Sequence, residues 1–263
     1  MRAVTPRLVL IGDSTVKNGR GDGAGGLVGW GQVLAEHFDG AALEIENRAL
    51  GGRSSRTYFT EGLWQRSLER LRPGDFLLIQ FGHNDGGQLF EGDRPRASLH
   101  GNGDETKEGV VQMTGKRETV HSYGWYLRRY CADAKAAGAT PIVLSPVPRN
   151  MWRDGRVLRA KGDYGRGASD AAREGGAQFI DLNEIIARRY EAAGENVVGR
   201  EYFTAADHTH TTEAGARVNA ECVVAGLRAL ADCPLRDFIK SESGGGANST
   251  EQPAHPELPS SSD

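Results

Sequence analysis

The sequence predicts an α/β protein built on a five-stranded parallel sheet with helices on both faces. Three observations carry this expectation. Five short runs are almost wholly apolar, as strands buried on both faces are. Between them lie stretches with apolar residues at i, i+3, i+4 and i+7, the spacing of helices that pack on a sheet. The length, 263 residues, suits one such domain with an insertion or a tail.

The elements follow in chain order. Arg7–Gly12 (RLVLIG) is the first strand. Trp30, Val33, Leu34, His37 and Phe38 form a helical stripe. Leu43–Asn47 is the second strand. Trp64, Ser67, Leu68 and Leu71 mark a helix stopped at Pro73-Gly74, a pair that cannot continue one. Asp75–Phe81 (DFLLIQF) is the third strand. Tyr123, Tyr126, Leu127, Tyr130, Cys131 and Ala134 give the clearest stripe, ending near Gly138. Thr140–Ser145 and Ala177–Leu182 are the fourth and fifth strands. Asn183–Ala193 and Thr212–Ala231 are helices, the last with Ala220, Val223, Val224, Leu227 and Leu230 on its apolar face. Strands that alternate with helices pair in parallel through helical crossovers.

Two segments depart from the alternation. Residues 86–120 are a polar connection, too long for an ordinary loop, and are read as a functional or disordered insertion near the site. Residues 241–263 are rich in Ser, Gly and Pro and are read as a disordered tail. The expected organisation is one catalytic domain over residues 1–240 followed by that tail. Asn248-Ser249-Thr250 matches a glycosylation triplet and is read as a chance match.

Composition excludes several classes. Lys and Arg number 32 against 35 Asp and Glu, a net charge of −3, so a nucleic-acid partner is not expected. No apolar run reaches the ~18 residues of a membrane span. Three cysteines (Cys131, Cys222, Cys233) are too few for a dense disulfide scaffold or a four-cysteine zinc site. They fit reduced thiols, or one disulfide and a free thiol. Cys131 and Cys222 fall on apolar helix faces as inert core thiols. The start, MRAVTPRLVLIGDS, does not read as a signal peptide, because its apolar stretch is short and runs into Asp13. The expectation is a cytoplasmic chain, or a secreted or periplasmic one whose leader has been removed. Glycine is over-represented, 36 of 263 residues, near twice the usual ~7%.

Ligands of parallel sheets sit beyond the carboxyl ends of the strands. After the first strand comes Gly12-Asp13-Ser14-Thr15. Ser14 there presents either a hydroxyl and a backbone N–H to a substrate, or an ordinary helix cap. After the second comes Asn47-Arg48-Ala49-Leu50-Gly51-Gly52-Arg53-Ser54. Paired glycines let a backbone N–H approach a substrate, or simply make a turn. After the third comes Gly82-His83-Asn84-Asp85. The Asn84 amide can donate to an oxyanion or close an Asx-turn. Before the last helix comes Asp207-His208-Thr209-His210. A carboxylate three residues before a histidine can accept its Nδ1–H and leave Nε2 as a base. The same cluster is a polar loop or a partial metal site on the other readings, but no fourth strong ligand lies near in sequence.

Taken together, these blocks are similar to those of the SGNH (GDSL-type) hydrolases. GDSTV, N-x-A-x-G-G-R-S, FGHNDGG and DHTHTTEAGA most resemble the rhamnogalacturonan acetylesterases of pectin breakdown. The resemblance spans roughly residues 7–231. It implies a three-layer α/β/α sandwich, the flavodoxin-like arrangement of that family. It also implies Ser14 as nucleophile, with Asp207 and His210 as its base pair. The oxyanion hole would be the Ser14 N–H, the Gly52 N–H and the Asn84 side chain, with Gly51 as the near alternative to Gly52. No metal and no organic cofactor is implied. The implied substrate is an acetylated oligo- or polysaccharide.

Around these, His208 competes as base, and His83 and Asp85 shape the Asn84 turn. Arg53 and Arg56 could read a uronate carboxylate bidentately or pin their loop by salt bridges. Trp30 and Trp125 fit core stripes, whereas Trp152 is placed in the cleft. Other readings change the substrate to acetylxylan, to small esters or to lipids and thioesters, or make the protein a carbohydrate binder without chemistry. A metal hydrolase using His83, Asp85, Asp207 and His210 is the remaining one. The polar insertion favours sugars over lipids, and a binder needs no nucleophile.

Overall fold

The computed structural model describes residues 5–20, 23–159 and 163–241. β1 (Arg7–Gly12) leads to α1 (Trp30–Val33), which tightens into a 3-10 turn over Leu34–His37. β2 (Glu44–Asn47), α2 (Ser55–Thr60), α3 (Leu63–Leu68) and β3 (Phe76–Gln80) follow. An antiparallel hairpin of β4 (Thr106–Val111) and β5 (Lys116–His121) precedes α4 (Tyr123–Ala136) and β6 (Thr140–Leu144). A small hairpin of β7 (Trp152–Arg153) and β8 (Arg156–Val157) leads to α5 (Tyr164–Gly175) and β9 (Gln178–Ile180). α6 (Leu182–Ala193), α7 (Glu195–Val197) and α8 (Glu213–Ala229) complete the order.

The five core strands form one parallel sheet in the order β2-β1-β3-β6-β9. The chain steps outward from β1 to β2, then returns past β1 to β3. Connections leave in opposite directions at that point and open a crevice beyond the strand ends. The apolar runs are continuous because strand side chains alternate between two cores. Leu8, Leu10, Leu78, Ile142 and Leu144 pack with Trp30 of α1, Ile186 of α6 and Val223 of α8 on one face. Val9, Ile11, Leu77, Ile79 and Val143 pack with Tyr58 of α2, Trp64 of α3, Tyr130 of α4 and Ala168 of α5 on the other. The expected three-layer sandwich is the observed one.

All five expected strands are present, with ends shifted by a residue or two. The structure adds α2, α5 and the short α7. Helix α5 buries Ala168, Ala171 and Ala172, residues too small to stand out as an apolar stripe. Helix α2 is only six residues long and buries Ser55 and Arg56 beside Tyr58. The three cysteines are free and buried. Burial pushes the Cys131 and Cys222 thiols up to about 12. The tail expectation, apart from Ser241, and the Asn248 triplet lie outside the described residues.

Residues 86–120 are not a structureless loop. They carry β4 and most of β5, and one buried cation ties them to the domain. Arg56, fully buried, donates to Glu118 Oε1 at 2.7 Å, to the Leu89 carbonyl at 2.7 Å and to the Ala97 carbonyl at 2.8 Å. Its guanidinium also lies over the Phe90 ring. This corrects the expectation that Arg56 contacts substrate: its charge is already committed to the insertion. Arg56→Leu leaves Glu118 and two carbonyls without their donor. The expected result is a loss of about 3 kcal/mol, read as a lower denaturant midpoint; an unchanged midpoint would contradict this anchoring role.

Candidate active site

The β1 end is shaped by close packing. A Cβ on Gly12 would lie 2.5 Å from Val16 Cγ2 and 2.6 Å from the Gln80 carbonyl oxygen. Only glycine lets β1 run this close to β3 before the chain turns. The turn is held by Asp13, whose Oδ1 accepts the Thr15 N–H at 2.9 Å and the Thr15 hydroxyl at 2.7 Å. Gln80 Nε2 donates to Thr15 Oγ1 at 2.7 Å, and Trp30 Nε1 donates to Gln80 Oε1 at 2.8 Å. The result is a fixed backbone with Ser14 at its tip. The Ser14 N–H has no hydrogen-bond acceptor among the described residues.

The histidine arrives from the loop before α8. Asp207 Oδ1 accepts the backbone N–H of Thr209 at 2.7 Å and of His210 at 2.9 Å. Asp207 Oδ2 lies 2.7 Å from His210 Nδ1, and His210 Nε2 lies 2.8 Å from Ser14 Oγ. A carboxylate only accepts, so Nδ1 carries the ring proton and Nε2 offers its lone pair to the hydroxyl. Burial alone would raise the Asp207 carboxyl, but the His210 and Thr209 donors outweigh it and hold the group below the usual carboxylate range. The loop is fastened where it enters α8. Thr211 exchanges two bonds with Val28 at 2.8 Å each, and Thr212 caps α8 through the Gly215 N–H.

Gly51, Gly52 and Asn84 complete the crevice. Gly52 has φ +77°, a left-handed conformation that favours glycine. Neither the Gly51 nor the Gly52 N–H has a hydrogen-bond acceptor among the described residues. A Cβ on Gly51 would sit 3.5 Å from the Ser14 Cβ, so this glycine packs directly against the serine. Asn84 Nδ2 donates to the Arg53 carbonyl at 2.9 Å. That bond orients the amide and leaves its second N–H available. Asp85 sits behind it, accepting the Ser55 N–H and hydroxyl and the Ser98 hydroxyl. It thus links the β3 loop, α2 and the insertion.

Burial raises the Asp85 pKa to about 6 against these opposing hydrogen bonds. A raised carboxyl pKa favours the folded state at low pH, and that advantage is lost as pH rises from about 4 through about 6. Relative to Asp85→Asn, the native chain is expected to lose about 3 kcal/mol across that window. Urea unfolding of both at several pH values checks it; a constant difference between them would contradict it.

Ser14, Asn18, Gly51, Gly52, His83, Asn84, Arg94, Arg96, Arg149, Thr209 and His210 line one cavity of about 410 Å³. The structure therefore brings together Ser14, Gly52, Asn84 and His210, with Asp207 behind the ring. His83 joins the lining as a neutral imidazole, its pKa lowered by burial against the pull of Asp13. His208 is exposed, and its ring does not line this cavity. Two substrate expectations are corrected. Trp152 packs on the core side and donates to Asn150 Oδ1 at 2.8 Å, outside the cavity lining. Arg53, at the edge of a neighbouring cavity, is held by Glu61 at 2.9 Å and the Gly51 carbonyl at 3.1 Å, so its charge is already paired and not free to read a carboxylate. Three cavity arginines were not singled out from sequence: Arg94, Arg96 and Arg149. Two of them lie in the insertion, where charged residues read as solvated surface.

A serine bonded to a histidine bonded to a carboxylate, at the switch point of a parallel sheet, is the equipment of an ester or acyl hydrolase. The chain matches the GDSL-like lipase/acylhydrolase family over residues 10–218 and belongs to that family of carboxylic ester hydrolases. A rhamnogalacturonan acetylesterase of Emericella nidulans is 35% identical over 219 residues, 83% of each chain. The rhamnogalacturonan acetylesterase RhgT of Bacillus subtilis is 29% identical over 251 residues, 90% of this chain and 96% of that one. Among solved structures, protein YxiM of Bacillus subtilis superposes with a TM-score of 0.68 at 24% identity. That match covers 86% of this chain and 57% of the other, and it shows the shared fold.

Proposed function

We propose that this protein is a serine esterase that removes O-acetyl groups from carbohydrate, with acetylated rhamnogalacturonan as substrate, through an acetyl-enzyme on Ser14. The observation that carries the reading is the unbroken chain from Asp207 Oδ2 through His210 to Ser14 Oγ, at 2.7 and 2.8 Å. The named relatives supply the substrate class. The cavity agrees with it, since its side chains are polar or charged and none is a large apolar group suited to an acyl chain.

In the first half-reaction Ser14 Oγ bonds to the acetyl carbonyl carbon while its proton passes to His210 Nε2. Asp207 stabilises the imidazolium. The tetrahedral oxyanion takes hydrogen bonds from the Ser14 N–H, the Gly52 N–H and the Asn84 amide. The bond to the sugar oxygen then breaks, and His210 returns the proton to that oxygen. In the second half-reaction His210 deprotonates a water that attacks the acetyl-enzyme; the bond from the acetyl carbon to Ser14 Oγ then breaks, His210 returns the proton to Ser14 Oγ, and acetate leaves. Asn84→Ala removes one oxyanion donor, so kcat is expected to fall by about 10²–10³-fold with KM little changed. A loss confined to KM would remove Asn84 from this role.

The test measures acetate released from acetylated rhamnogalacturonan, acetylated xylan and a small activated acetyl ester. Rhamnogalacturonan is expected to be the best carbohydrate substrate. Faster release from xylan overturns the polysaccharide assignment. Inhibition by a chelator but not by a serine-directed reagent overturns the mechanism.

A further inference from the structure

The cavity around Ser14 holds three guanidinium groups, those of Arg94, Arg96 and Arg149, and no carboxylate lines it. That is opposite in sign to the chain, whose net charge is −3. Neighbouring arginines are neutralised by acids: Arg53 by Glu61, Arg56 by Glu118, and Arg159 by Glu184 and Glu191. Arg94 and Arg96 have no ion-pair partner among the described residues. They lie two residues apart in the insertion, with Pro95 buried between them.

The two are also differently mounted. Arg96 is half-buried, and its Nη1 donates to the Gly52 carbonyl at 3.0 Å. Burial lowers its pKa from the ordinary arginine value, and the charge of Arg94 acts in the same direction, against the weaker pull of Asp13 and Asp85 behind the cavity. Arg94 is exposed, and its guanidinium has no hydrogen-bond partner among the described residues. Like charges held together in a partly desolvated cleft cost free energy unless an anion joins them. Past Gly51, Gly52, Arg94 and Arg96 the cavity continues into a second space of about 410 Å³ between α2 and the β4–β5 hairpin. That space is also lined by Arg53 and Glu61 and by Arg56 and Glu118, which neutralise one another in pairs, and it has room for a neighbouring sugar.

We propose that Arg94 and Arg96 form a clamp for the carboxylate of a uronosyl residue, seated on the Gly52 side of the scissile ester. The clamp selects acidic over neutral acetylated glycans. It rests on the reading of the protein as a carbohydrate acetylesterase. A guanidinium tethered through one N–H keeps others for a carboxylate, and a second, unpaired guanidinium can complete the pairing. The insertion thereby becomes the specificity element of the domain.

Titration calorimetry of the full chain tests this with a galacturonate oligomer and the same oligomer after reduction of its carboxyls to neutral alcohols. In the native protein the acidic oligomer is expected to bind about tenfold more tightly. In the Arg94→Gln, Arg96→Gln double variant the two affinities converge. The preference should also shrink at high salt, as an ionic contact on an accessible surface does. The ratio is read within each protein, so a general loss of binding from a loosened Gly52 loop does not mimic the result. Arg94→Gln alone, at an exposed side chain, should fold normally and reduce the ratio severalfold. Equal binding of the two oligomers by the native protein, or a ratio that survives both substitutions, overturns the clamp. A native protein that shows the preference but releases no acetate from any acetylated carbohydrate overturns the function reading and leaves the clamp standing.

Discussion

Ser14→Ala is expected to lower acetate release by about 10⁴-fold or more while the protein remains folded. The hydroxyl sits at the tip of a turn held by other groups: Asp13, Thr15, Gln80 and Trp30 keep all their hydrogen bonds when Ser14 Oγ is removed. The one partner lost is His210 Nε2, which faces the cavity and can be hydrated there. The thermal midpoint should therefore stay within a few degrees of the native value. Activity is read as acetate released from a small activated acetyl ester, which needs no sugar contact. Substantial turnover by a folded Ser14→Ala protein would remove Ser14 as nucleophile.

Asp207→Asn is expected to cost about 10⁴-fold in kcat, by a different route. The native carboxylate accepts three donors, two backbone N–H groups on Oδ1 and the imidazole Nδ1–H on Oδ2. An amide has one oxygen, and the backbone donors claim it. Its NH₂ then faces Nδ1 and favours the tautomer protonated on Nε2, so the ring points a proton at Ser14 instead of a lone pair. Geometry and substrate binding change little, and KM should hold while kcat collapses. A matching loss in KM, or a folded variant within tenfold of native kcat, would show that Asp207 does not set the His210 tautomer.

The fold was largely legible because buried parallel strands and the helices on them have short-range signatures. RLVLIG and FLLIQ must be buried on both faces, and the stripe through Tyr126, Leu127, Tyr130 and Cys131 has the helical period. Helix α5 escaped because its buried residues are alanines, which have little hydrophobic contrast. The insertion escaped because β4 and β5 are mostly exposed; Lys107, Glu108, Lys116 and Arg117 give no apolar alternation to read. It is tied to the domain in part by Arg56, a side chain that sequence patterning assigns to the surface.

The site divides in the same way. Gly-Asp-Ser, Gly-Gly and Asn-Asp could be placed at strand ends from sequence, because the sheet's polarity puts those ends together, and Asp-x-x-His before the last helix. Which arginines reach the cavity could not be read in that way. Arg53 and Arg56 follow the glycines in sequence, yet Glu61 and Glu118 take their charges. Arg94 and Arg96 lie some forty residues beyond the glycines and end beside Gly52 because the insertion folds back over α2. Sequence by itself determined the sheet, its two cores and the residue types at the strand ends, since burial and local backbone chemistry are set by neighbours in the chain. Tertiary structure decided which charges remain unpaired and what they face, since a salt bridge depends on distances in space that no local pattern encodes.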